Sequence, residues 1–117
     1  MSNSRDLVEL SSRIASFAVA REWQKFHTPR NLVLALAGEV GELAAEFQWM
    51  EENEQLESDH LNRVSGEIAD VAIYLIRLAD VLGVDLGEVI SRKIDQNEIR
   101  YPAENSRGSS AKYTAYE

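Results

Sequence analysis

No cysteine occurs in the 117 residues, and there are only two histidines. Disulfides and thiolate metal ligands are therefore excluded. With His27 and His60 far apart in sequence, a zinc site is not expected either. Basic residues are also scarce: 12 Lys and Arg against 20 Asp and Glu leave a net charge of −8. A phosphate backbone needs clustered positive charge, so nucleic acid is not an expected partner. No apolar run reaches the ~18 residues that read as a membrane span. The opening Met-Ser-Asn-Ser-Arg-Asp leads straight into an amphipathic segment instead of a signal-peptide core. These absences predict a soluble, cytoplasmic, single-domain protein. The chain is short for an active-site cleft within one subunit, so oligomerisation is expected.

What the chain does have is helical periodicity. Leu7, Leu10, Ile14, Phe17 and Arg21 mark one stripe of a first helix from about Asp6 to about Phe26. It ends in Trp23, Phe26 and His27, where the two large aromatics fit a core role as readily as a binding one. Thr28-Pro29 supplies an N-cap and a proline at the first helical position for a second helix, running to about Met50. The acid-rich stretch 51–58 reads as a connection. Ser58 or Asp59 can cap a third helix with the apolar spine Leu61, Val64, Ile68, Val71, Leu75, Leu78 and Leu82, and Gly83 is placed to close it in a left-handed conformation. Asp85-Leu-Gly-Glu88 resembles a capping box opening a fourth helix that stops at Pro102. Residues 1–5 and 103–117 read as flexible termini around a domain at 6–102. Four helices, short connections and no strand signal predict an all-α fold, a four-helix bundle completed by oligomerisation.

The chemistry lies where acids interrupt apolar faces. On the second helix Leu32, Leu36, Glu39, Leu43, Glu46 and Met50 share one stripe, and Glu42 leans over the same edge. Glu67 and Asp70 repeat the spacing on the most apolar helix, with Tyr74 and Arg77 continuing their stripe. Gly38 and Gly41 each weaken a helix by about 1 kcal/mol relative to alanine, so a close neighbouring helix or a ligand is expected there. A single acidic pair on a helix is usually solvated surface. Two pairs embedded in apolar helices point instead to a hard divalent cation such as Mg²⁺. A di-iron bundle calls for two Glu-x-x-His pairs, and only Glu57-x-x-His60, in the polar connection, fits.

Glu39-x-x-Glu42, then 24 residues, then Glu67-x-x-Asp70 is similar to the metal-binding signature of the all-α nucleoside triphosphate pyrophosphohydrolases, the MazG-like and dUTPase-like superfamily. Trp23-Gln-Lys-Phe-His-Thr-Pro-Arg-Asn31, Phe47-Gln-Trp49, Asp70-Val-Ala-Ile-Tyr-Leu75 and Arg100-Tyr-Pro102 resemble its dCTP pyrophosphatase branch. The resemblance covers residues 7–102. It implies hydrolysis of a nucleoside triphosphate between the α and β phosphates, with Glu39, Glu42, Glu67 and Asp70 holding Mg²⁺. One of these carboxylates would act as general base, Glu39 and Glu42 being equal candidates. Trp23, His27, Trp49 and Tyr74 would form the base pocket. Lys93, Asn97 and Tyr101 match phosphate-contacting and sugar-contacting positions. The same resemblance implies a homotetramer, a dimer of dimers, in which helix four of one subunit reaches another's site. Glu46 and the short 51–58 loop depart from the pattern. Two other readings stay open at this point: hydrolysis of another base, such as dUTP or a damaged nucleotide, and a non-catalytic helical nucleotide-binding or oligomerisation module. A module of that kind is expected to have lost one of the four acids, and all four are present.

Overall fold

A computed structural model describes residues 6–108, so residues 1–5 and 109–117 of the expected flexible termini lie outside the described residues. The regular elements of the described residues are all helices, without a strand: α1 Leu7–Ala20, a 3-10 turn at Gln24–Phe26, α2 Pro29–Ala45, α3 Ser58–Val81, α4 Leu86–Arg100 and α5 Ala103–Ser106. The one-turn α5 falls in the stretch read as a tail. No described helix is long and apolar enough to cross a membrane. The chain divides into two compact units, Met1–Val84 and Asp85–Glu117.

In the first unit α3 packs along α2 and against α1. Leu32 is the largest side chain fully out of water, joined in the core by Ala18, Val64, Ile76 and Ala79. The seven-residue spine of α3 is only partly covered. Val64 is buried and Val71 and Leu78 are half-buried, but Leu61, Ile68, Leu75 and Leu82 keep 41–55% of their surface exposed. These four recur every seven residues and so form one stripe, on an apolar arc wider than two neighbouring helices can cover.

The predicted first helix runs too long. Asp6 caps its start, with Oδ1 accepting from the Glu9 backbone N–H at 2.9 Å. The helix then closes at Ala20 because Glu22 enters the left-handed region at φ 54°. The Glu22 N–H donates to the Val19 carbonyl at 3.0 Å and the Trp23 N–H to the Ala18 carbonyl at 2.9 Å, which is a Schellman closure on a residue other than glycine. Glycine there would avoid the left-handed penalty of a Cβ at the price of a more flexible unfolded chain. Glu22→Gly is therefore expected to stabilise by about 0.5–1 kcal/mol, seen as a rise of a few degrees in Tm by circular dichroism. A fall in Tm would show that the Glu22 side chain contributes more than its strain costs.

Helix α2 begins as expected: Thr28 Oγ1 accepts from the Asn31 N–H at 3.2 Å, with Pro29 at the first position. Its end lies five residues before Met50. The last carbonyls turn away from helical pairing, since the Glu46 carbonyl accepts from His60 Nε2 of α3 at 2.6 Å, and Phe47 and Gln48 bond three residues back. Helix α3 has Glu57 as N-cap without a side-chain cap, and the expected caps Ser58 and Asp59 fall inside its first turn. Its closure is the expected one: Gly83 at φ 69°, with the Val84 N–H on the Ala79 carbonyl at 2.8 Å.

In the second unit Asp85 Oδ1 accepts from the Glu88 N–H at 3.1 Å, and α4 stops at Arg100 before Pro102, both as expected. Glu88 also pairs with Arg92.

Candidate active site

Packing of α3 along α2 brings together acids that lie far apart in sequence. One carboxylate oxygen from each of Glu39, Glu67 and Asp70 lies within 4.8 Å of the others. Glu39 Oε2 and Glu67 Oε2 are shut off from water and have no hydrogen-bond partner among the described residues. Burial is the first reason both carboxyls are pushed above the ordinary carboxylate range. The second is the charge of Glu42, and Asp70 adds repulsion to both. Buried lone pairs without donors, on hard oxygen ligands that repel one another, fit a divalent cation held by Glu39, Glu67 and Asp70. Glu42 stands beside this triad and is not among its three converging oxygens.

Glu46, on the same sequence stripe, is drawn elsewhere. Its Oε2 lies 3.3 Å from both Arg63 Nε and His60 Nε2, so the extra acid is ion-paired. Within one copy of the chain no helix closes on Gly38 or Gly41: a Cβ at either would meet nothing within 4 Å. The same holds for Gly66, directly before Glu67.

A stability signature follows from the raised carboxyls. In the folded protein Glu39 and Glu67 hold a proton more tightly than at the ordinary glutamate value of 4.5 that applies to the unfolded chain. Their contribution is therefore fully present below that value and is lost as pH rises through the raised folded values. A bound divalent cation compensates the charge once the carboxyls ionise. The rise in Tm caused by Mg²⁺ over EDTA is expected to be larger near about pH 8 than near about pH 5 in thermal melts. An equal effect at both pH values would mean that these carboxyls are not where the ion binds.

Two cavities share a wall here, and one of them reaches the acids. Trp23, Phe26, His27, Asn31 and Tyr74 line one of about 340 Å³. The other, of about 210 Å³, shares Trp23, His27 and Tyr74 and reaches Glu39, Asp70 and Arg77. The turn that closes α1 sets Trp23 in place, edge-on to Phe17 with ring centroids 5.7 Å apart. Asn31 Nδ2 donates to the Phe26 carbonyl at 3.0 Å and ties the 3-10 turn to α2. Arg77, only 8% exposed, donates from Nε to His27 Nδ1 at 3.0 Å and from Nη1 to Asp80 Oδ2 at 3.0 Å. Burial, and next the Arg77 charge, hold the His27 pKa below its ordinary value.

Of the residues singled out in the sequence, Glu39, Glu67, Asp70, Trp23, His27 and Tyr74 are brought together in the first unit, with Glu42 alongside. Trp49 is 86% exposed in the turns after α2 and lines neither cavity. Lys93, Asn97 and Tyr101 belong to the second unit, where they follow one another at intervals of four, with the Tyr101 N–H on the Asn97 carbonyl at 2.8 Å. Asn31 and Arg77 were given no role in the sequence, although Arg77 continues the stripe of Glu67, Asp70 and Tyr74.

Known proteins are similar to this chain in sequence and fold. Human dCTP pyrophosphatase 1 is 48% identical over 104 residues and the mouse protein of the same name 47%, each match covering 86% of this chain. The chain spans 61% of the length of these relatives. The crystal structure of a pyrophosphatase from Archaeoglobus fulgidus superposes with a TM-score of 0.72 at 35% identity, covering 87% of this chain and 97% of that one. The MazG-like family matches residues 35–115, a span that includes all four acids and most of α2 through α4. On these matches and the shared helical fold, the chain belongs to the MazG-like family.

Proposed function

We propose that this protein is a Mg²⁺-dependent nucleoside triphosphate pyrophosphohydrolase that cleaves dCTP, or a related or modified pyrimidine deoxynucleotide, to the monophosphate and pyrophosphate. The observation that carries this reading is the junction of the acidic triad with the aromatic cavity through Trp23, His27 and Tyr74. A flat ring can enter between aromatic side chains while its phosphates extend toward the acids.

Glu39, Glu67 and Asp70 hold the cation, which when bound screens the triphosphate charge and makes an attacking water more acidic. Glu42, outside the triad but near enough for its charge to act on Glu39 and Glu67, is the general base. It takes a proton from water as the water oxygen bonds to the α phosphorus, and the bond to the bridging oxygen breaks to release pyrophosphate. Trp23 and Phe26 stack on the base, while His27, Asn31 and Tyr74 offer it hydrogen bonds. Lys93 supplies charge to phosphate, and Asn97 and Tyr101 contact phosphate and sugar.

The active form is a homotetramer in which α4 of one copy serves the site of another. The exposed heptad stripe Leu61, Ile68, Leu75 and Leu82 supports a further helical neighbour, because a contiguous apolar stripe of this kind usually marks a contact surface. Light scattering after size exclusion tests the assembly. Pyrophosphate release from the four deoxynucleoside triphosphates, dUTP and 5-methyl-dCTP, in Mg²⁺ and in EDTA, tests the activity. Mg²⁺-dependent turnover highest on a cytosine nucleotide is expected. Retained triphosphate binding without turnover would mark a nucleotide-binding module instead.

A further inference from the structure

The mechanism above leaves Arg77 without a task, yet it is a buried cation next to the cavity. Its Nε hydrogen points at His27 Nδ1, 3.0 Å away, and its other arm is held by Asp80 Oδ2. A guanidinium has no acceptor and does not lose its proton in proteins. His27 Nδ1 must therefore present a lone pair, and a neutral ring then carries its only proton on Nε2. An imidazolium is disfavoured twice over, since it would lose this bond and face a like charge. No hydrogen bond to His27 Nε2 is made among the described residues.

We propose that Arg77 is a positioning residue that fixes His27 as the neutral Nε2–H tautomer, making the cavity read the acceptor edge of cytosine at N3 and reject the N3–H of uracil and thymine. The assignment rests on the pyrimidine nucleotide function proposed above and names what selects the base. A donor fixed in direction and set among apolar walls meets an acceptor with a hydrogen bond. Opposite an N–H it leaves two donors facing each other, and buried unpaired polar groups of this kind give strong discrimination. Lowered basicity of His27 keeps the ring neutral, consistent with the geometry.

Two substitutions separate the hydrogen bond from the bulk of the side chain. In Arg77→Gln the amide nitrogen occupies the place of Nε along the side chain and can still donate to Nδ1. Arg77→Met fills similar space without a donor. Long-range ¹H–¹⁵N spectra of histidine-labelled protein report which ring nitrogen is protonated. Wild type and Arg77→Gln are expected to show the proton of His27 on Nε2 alone, and Arg77→Met a mixture of tautomers. The ratio of kcat/KM for dCTP over dUTP is expected to fall by about tenfold or more in Arg77→Met, chiefly through KM, and to recover in Arg77→Gln. Melting curves establish that both variants fold.

Wild-type nitrogen shifts and base preference in folded Arg77→Met would overturn the proposal. So would a lost preference that Arg77→Gln does not restore. Should the wild-type protein turn over no triphosphate, it is the proposed function that fails. Addition of dCMP then decides the Arg77 assignment: a shift of the Nε2–H resonance in wild type and its absence in Arg77→Met support it, and no shift in wild type overturns it.

Discussion

Glu39→Gln is expected to lower kcat for dCTP by roughly 10²–10⁴-fold with only a small change in the fold. The substitution keeps the shape of the side chain but removes one of three converging negative charges and replaces a lone-pair oxygen with an amide. Its effect on the cation-free protein has the opposite sign. Glu39 is repelled by Glu42, Asp70 and Glu67, and its Oε2 is buried without a donor, so a neutral residue relieves the cluster. The variant is therefore expected to melt at higher temperature than wild type in EDTA and to gain less from Mg²⁺. Loss of function with a gain of stability marks a site strained for a ligand. A variant that keeps its turnover, or that loses Tm in EDTA as a core residue would, removes Glu39 from the cation site.

This opposition also explains why the acids were legible in the sequence. Carboxylates on a stripe with Leu32, Leu36 and Leu43 conflict with burial, and local conflicts of this kind concentrate at functional sites. The signal was not selective, however. Glu46 sits on the same stripe and raises the same expectation, but its partners Arg63 and His60 lie 17 and 14 residues further along the chain. Only the packing of α3 on α2 shows that it is ion-paired. The end of α2 escaped for the same reason, since the carbonyl that stops it is held by His60.

Where the signal is local, sequence sufficed. Thr28-Pro29, Gly83 and Asp85 each act through a bond within a few residues of themselves, and each appears where its chemistry places it. Glu22 shows the limit. Its left-handed conformation carries no glycine or asparagine to announce it, so the first helix looked continuous into Phe26. That unannounced turn takes Trp23 off the helix and into the cavity wall. Aromatic identity alone did not distinguish Trp23 from Trp49, because the difference between them is one of position.

Trp23→Ala is expected to raise KM for dCTP by roughly 5- to 150-fold, the equivalent of the 1–3 kcal/mol carried by an aromatic ring stacked on a base, while kcat changes little. The split follows from where the ring stands. Trp23 lines both cavities on the base side, whereas the acids that carry the chemistry are on α2 and α3. The fold is expected to survive, because Trp23 closes α1 through its backbone N–H, which alanine retains, and its ring is already 44% exposed. Losing the edge contact with Phe17 removes about 0.5–1.5 kcal/mol, enough to lower Tm but not to unfold the domain. Trp49→Ala is the matched control. A comparable rise in KM would show that a second copy lends its exposed Trp49 to the cavity, and an unchanged KM would take Trp49 out of base recognition. A Trp23→Ala protein that loses kcat at constant KM would instead place the indole against the reacting phosphates, and the stacked base would have to be sought elsewhere.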